Sequence, residues 1–250
     1  MRLQLIGCSV LIRELSEAIV HSPHTIDAKY LPAGLHDIGA KGMGERIQQA
    51  INDADAPHYD AILLGYGLCG NGLVGLHSET TPLVVARAHD CITLLMGSRR
   101  RYRAYFEANA GAYFRSAGWV ERAAEMEEQL CGLGYSASEK DLIAKYGEEA
   151  GHYLYEQFIR YRQKYVKLTY IHSAMEADAE FANRAREEAK EKGWEFEEVN
   201  GDDSLFRRLL SGDWNEDFLV VPPGQRIAAS YDEYVIAAKA ARVETTEGVE

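Results

Sequence analysis

Three cysteines stand where a strand-like run gives way to a loop: Cys8 in Ile6-Gly-Cys-Ser9, Cys69 in Gly65-Tyr-Gly-Leu-Cys-Gly-Asn-Gly72, and Cys91 in Ala88-His-Asp-Cys91. Thiolates are the soft ligands of zinc and of iron–sulfur clusters, so thiols at three strand ends point to a metal centre. One fitting centre is Zn2+ on Cys8, Cys69 and Cys91, with His89, water or substrate in the fourth position. The other is a 4Fe–4S cluster on the same cysteines, leaving one iron open to substrate. No C-x-x-C pair is present, so the usual knuckle of a structural zinc site is missing.

The surrounding residues suggest supporting roles. His89 is a fourth ligand or proton donor, and Asp90 orients it, which makes the two the expected catalytic pair. Gly67, Gly70, Asn71 and Gly72 surround Cys69 with backbone amides free to approach a sulfide or an anion. Arg99 and Arg100, in the basic run after Cys91, and Gln225, after the last strand, are candidates to hold an anionic ligand. A metal-free alternative uses Cys91 as a nucleophile beside His89, or two thiols for proton transfer on a small anionic substrate. A third reading is a non-catalytic small-molecule carrier. The plainest reading is that cysteine packs as a small hydrophobe, which suits Cys131 in Gln129-Leu-Cys-Gly132 best.

Two other motifs are set aside. Gly65-x-Gly67-x-x-Gly70 has the offsets of a dinucleotide fingerprint, but the following strand ends in Arg87 where an acidic residue is needed. The nucleophile-elbow spacing around Cys69 fails because Asn71 stands in place of the last glycine.

These residues need a sheet to position them. Apolar runs at 2–7, 24–31, 61–65 and 82–87 alternate with helical spacing at 10–20 and 41–54. Several of the runs are continuously apolar, the mark of strands covered on both faces. The fold class is therefore α/β, with a mostly parallel sheet and flanking helices. Ligands of such sheets bind at the carboxyl ends of the strands. That rule puts the three cysteines, His36-Asp37, His89-Asp90 and residues 222–225 on one rim. Residues 92–166 read as a helical, Tyr-rich insertion. Strands at 168–172, 194–199 and 218–221 follow, with helices at 178–192 and 205–210 and a helix stop at Gly193. The chain divides into an N-terminal α/β lobe (1–91), the insertion (92–166), a C-terminal α/β lobe (167–241) and a disordered acidic tail (242–250). Two lobes across a cleft or one continuous sheet would both account for this order.

The 250 residues are 46% hydrophobic and carry a formal net charge of −12, which argues against a broad nucleic-acid surface. No apolar run approaches the ~20 residues of a membrane span. The N-terminus reads as a strand, not a signal peptide, so a cytoplasmic location is expected. There, cysteines are more often free or metal-bound than paired. A small anionic ligand is the expected partner, and a homo-oligomer is compatible with the sequence.

Ile6-Gly-Cys-Ser-Val-Leu11, Leu64-Gly-Tyr-Gly-Leu-Cys-Gly-Asn-Gly72, Arg87-Ala-His-Asp-Cys-Ile-Thr-Leu-Leu-Met-Gly97, Gly118-Trp119 and Val220-Val-Pro-Pro-Gly-Gln-Arg226 together resemble the DUF1638 family of uncharacterised bacterial and archaeal proteins. The resemblance carries no established activity. It implies company with corrinoid-dependent methyl transfer, hence a corrinoid protein or methyltransferase as partner. Thiolate-bound zinc or an iron–sulfur centre would suit such one-carbon chemistry.

Overall fold

In the computed structural model the described residues are 1–55, 58–125, 138–162, 164–176 and 179–240. Cys131 and the acidic tail lie outside them. The chain opens on β1 (Arg2–Cys8), a 3-10 turn (Ser9–Leu11) and α1 (Ile12–Val20), followed by β2 (Thr25–Leu31), α2 (Gly39–Ala54), β3 (Ala61–Gly65) and β4 (Leu83–Ala86). β3 and β4 are buried at every residue, as their continuous apolar runs require.

The first sheet has the order β2-β1-β3-β4-β8, where β8 is Phe218–Val221. The first four strands are parallel, and β8 pairs antiparallel with β4 through Leu83↔Val221 and Ala86↔Phe218. This corrects one expectation. The carboxyl end of β8 lies at the far edge of the sheet from the cysteines, and so does the segment 222–225 that follows it. A buried apolar run does not encode strand direction. Here the turn after α9 (Ser204–Ser211), with Gly212 at φ +82, sends the chain back across the sheet.

The segment expected to be mostly helical contains α3 (Cys91–Leu95), α4 (Arg99–Ala108), α5 (Ala117–Glu121), α6 (Glu139–Tyr146) and α7 (Glu148–Arg162). It also contains β5 (Ala112–Arg115), which the sequence reading missed. β5 joins β6 (Lys167–His172) and β7 (Glu195–Asn200) in a second, parallel sheet of order β5-β6-β7. α8 (Glu180–Lys192) covers that sheet and ends at Gly193 in the left-handed conformation, as expected. A hairpin of β9 (Gln225–Ala229) and β10 (Ile236–Ala240) completes the described fold, a mixed α/β architecture with a largely parallel central sheet. Among the described residues no helix is long and apolar enough to cross a membrane.

Two apolar clusters fill the two faces of the first sheet. One gathers α1, α3 and α9 around Leu5, Leu15 and Phe206; the other gathers α2 around Ile6, Ile47 and Leu64. α5 lies directly on the turn after Cys8, where any side chain at Gly118 would run into the Val10 carbonyl. Glu14 of α1 is only 1% exposed, and neither carboxylate oxygen has a hydrogen-bond partner among the described residues. Burial pushes its pKa from the ordinary 4.5 up to about 7, with the nearby Asp203 and Glu176 carboxylates adding to the shift.

A raised carboxyl pKa means the folded state holds the proton more tightly than the unfolded chain. The stabilisation is therefore full below about pH 4.5 and is lost as pH rises through about 7. The loss amounts to roughly 3 kcal/mol. Glu14→Gln removes the charge and keeps the shape. The drop in unfolding free energy between pH 4 and pH 8 is expected to shrink by about that amount, measured by urea denaturation at both pH values. An unchanged drop would show that Glu14 ionises like an exposed carboxylate.

Candidate metal centre

Cys8, Cys69 and Cys91 line one cavity of about 20 Å³ at the carboxyl ends of β1, β3 and β4. The parallel register Gly7↔Gly65 and Leu64↔Val85 brings those three ends level. Each thiol is partly buried. Cys8 closes β1 and packs against the apolar clusters on both faces of the sheet.

Cys69 sits in a left-handed turn. Its φ is +45, and Gly70 and Asn71 follow at +66 and +72. Asparagine tolerates this region, but a cysteine there is strained, and such strain concentrates at functional sites. The turn is held by its neighbour: Leu68 N donates to Ala88 O and Cys69 N to His89 O, both at 2.8 Å. Gly67 permits that contact, because a Cβ there would lie 2.5–2.7 Å from the backbone atoms of Asp90.

Cys91 is the first residue of α3. Asp90 caps the helix, with Oδ1 accepting from Thr93 N at 3.0 Å and from Thr93 Oγ1 at 3.1 Å. Its Oδ2 accepts from the Tyr102 hydroxyl at 2.9 Å.

The thiols feel one another. Cys91 is held well above its ordinary pKa first by the neighbouring Cys69 thiol, then by burial. Burial pushes Cys8 up to about 12, and charge on Cys69 adds to it. Both shifts are opposite to those of an activated thiol nucleophile. Among the described residues no three His, Cys, Asp or Glu side chains stand together at metal-binding spacing, so the thiols share a cavity without forming a preassembled ligand set.

The remaining candidates divide. Gly67 lines the cavity; Gly70 and Asn71 are exposed at the tip of the turn, and Gly72 is buried beneath it against Met43. His89 is exposed and its ring does not line the cavity; its backbone carbonyl is the part that serves, on Cys69. Asp90 is occupied as a helix cap and does not orient His89. Arg99 is taken up by the C-terminal segment, through the Glu233 carbonyl and Asp217 Oδ1, and Arg100 points to solvent. Gln225 lies in β9, beyond the opposite edge of the sheet, because β8 runs antiparallel.

The lining residues without an assigned role in the sequence reading of the cavity include Tyr66, His36, Met43 and Trp119. His36 follows β2 in a 3-10 turn, and its Nε2 lies 3.3 Å from Asp37 Oδ1. The strand-end rule had put His36 on this rim, a signal outweighed by the chain proximity of His89 to Cys91. Tyr66 is 2% exposed and its hydroxyl has no hydrogen-bond partner among the described residues.

A family model described as "Protein of unknown function (DUF1638)" matches residues 30–210. No curated protein and no solved structure matches the chain.

Proposed function

The chain belongs to the DUF1638 family, and we propose that Cys8, Cys69 and Cys91 together hold one thiophilic metal ion, zinc foremost, at a site serving methyl or related one-carbon transfer. The observation that carries this reading is the convergence of three thiols from three strand ends on a single cavity. One magnitude favours a lone ion over a 4Fe–4S cluster: the cavity of about 20 Å³ has the scale of one water-sized group.

When bound, such an ion lowers the pKa of a fourth ligand and holds it as a nucleophile. The protein does the rest. Leu11, Leu35, Met43 and Trp119 give the cavity apolar walls. His36, half exposed at the lining, replaces His89 as the imidazole within reach of a fourth position or its proton. The family resemblance supplies the methyl-transfer setting, with a corrinoid protein or methyltransferase as the expected partner.

Protein purified anaerobically without added metal is expected to contain one zinc per chain and neither iron nor inorganic sulfide, by elemental and sulfide analysis. Iron with sulfide would replace the ion by a cluster. Absence of any metal, with one thiol alkylating unusually fast, would replace it by a metal-free thiol enzyme.

A further inference from the structure

Tyr66 is the first residue after β3, buried to 2% exposure among apolar cavity walls. Its hydroxyl has no hydrogen-bond partner among the described residues, and it lies within electrostatic reach of the Cys8 and Cys69 sulfurs. Buried hydroxyls are ordinarily satisfied, and an orphan facing a cavity is a donor without its acceptor. A phenol at neutral pH is an O–H donor, and burial holds this one further toward the protonated form.

We propose that the Tyr66 hydroxyl is the hydrogen-bond donor that selects the small ligand entering the three-cysteine cavity, favouring an anionic sulfur or oxygen atom, such as a thiolate or hydroxide, over a neutral nitrogen donor. The inference rests on the metal reading of that cavity. Cys8, Cys69, Cys91 and Tyr66 all line the one small cavity, so a ligand of an ion held by the thiols shares that space with the phenol. A bond from a neutral donor to a charged acceptor is the stronger kind, so the preference falls on the anion. The Tyr66 hydroxyl makes no hydrogen bond among the described residues, which separates its role from that of the satisfied polar groups of the fold.

Wild type and Tyr66→Phe, each loaded with Co2+ as a visible-absorbance reporter, can be titrated with 2-mercaptoethanol and, separately, with imidazole. Both proteins are expected to bind Co2+ equally. Tyr66→Phe is expected to bind the thiol about tenfold more weakly, to bind imidazole unchanged, and to melt no lower than wild type. Equal thiol affinity in the two proteins would overturn the role of Tyr66 and leave the metal reading standing. Failure of wild type to bind Co2+ with thiolate absorbance would overturn the metal reading and this inference with it. Loss of thiol and imidazole affinity together would assign Tyr66 a packing role.

Discussion

Cys69→Ser is expected to weaken zinc binding by roughly a hundredfold or more, and Cys91→Ser by a similar factor. Zinc sites of this kind are worth about 10–16 kcal/mol in apparent binding free energy at neutral pH. Shared over four ligands that is about 3 kcal/mol per thiolate, and each 1.4 kcal/mol is a factor of ten. Serine keeps the size of the side chain and loses the soft, readily ionised sulfur. The two positions should act together because they line one cavity and their loops are laced by two backbone bonds of 2.8 Å. The double variant is therefore expected to lose less than the sum of the single losses. Competition with a chromophoric chelator measures all three affinities. Binding within about threefold of wild type in Cys69→Ser would remove Cys69 from the ligand set.

Gly67→Ala is expected to destabilise the fold by parting the Cys69 and Cys91 loops. Its Cβ would meet the Asp90 backbone at 2.5–2.7 Å, and backbone, unlike a flexible side-chain tip, has no rotamer by which to yield. The Cys69 and Cys91 loops must separate, stretching the bonds from Leu68 to Ala88 and from Cys69 to His89. Overpacking of this kind costs about 1–3 kcal/mol and two weakened hydrogen bonds about 1 kcal/mol each, so a loss of roughly 3 kcal/mol is expected. For a chain of this length that corresponds to a Tm lower by about 6–12 °C. Zinc affinity should fall with it, because the two thiols ride on the loops that part. Gly70→Ala is the informative contrast. Nothing lies within 4 Å of its Cβ, and only the φ of +66 opposes a side chain. That strain is worth about 1–2 kcal/mol and leaves the loops laced. Equal Tm losses for the two variants, by scanning calorimetry, would mean that the Gly67–Asp90 contact is not what joins the loops.

The rim of three cysteines was legible because it follows from two local signals. Continuous apolar runs read as buried parallel strands, and the strand-end rule then brings Cys8, Cys69 and Cys91 together without any long-range information. The bounds of β3 and the helical stop at Gly193 were legible for similarly local reasons. What stayed hidden depends on relationships that one run of residues does not contain. The four residues of β5 look like the helical composition around them, and only pairing with β6 makes them a strand. β8 is as apolar as a parallel strand, and its reversed direction comes from the turn before it; this took Gln225 away from the site. His89 and Asp90 have suitable side chains beside Cys91, but the cap of α3 claims one and solvent the other. Arg99 was read as free charge, whereas the C-terminal segment, more than a hundred residues later, supplies its partners. Tyr66 and Trp119 were given no role from the sequence, and Trp119 comes to the cavity through the way α5 lies on the turn after Cys8.

The most direct test is X-ray absorption at the zinc edge of the metal-loaded protein. Three sulfur scatterers at ~2.3 Å with one nitrogen or oxygen are expected for zinc on Cys8, Cys69 and Cys91 with an exchangeable fourth ligand. A shell of nitrogen and oxygen alone, or a spectrum unchanged when Cys8, Cys69 and Cys91 are all replaced by serine, would contradict the three-thiolate centre.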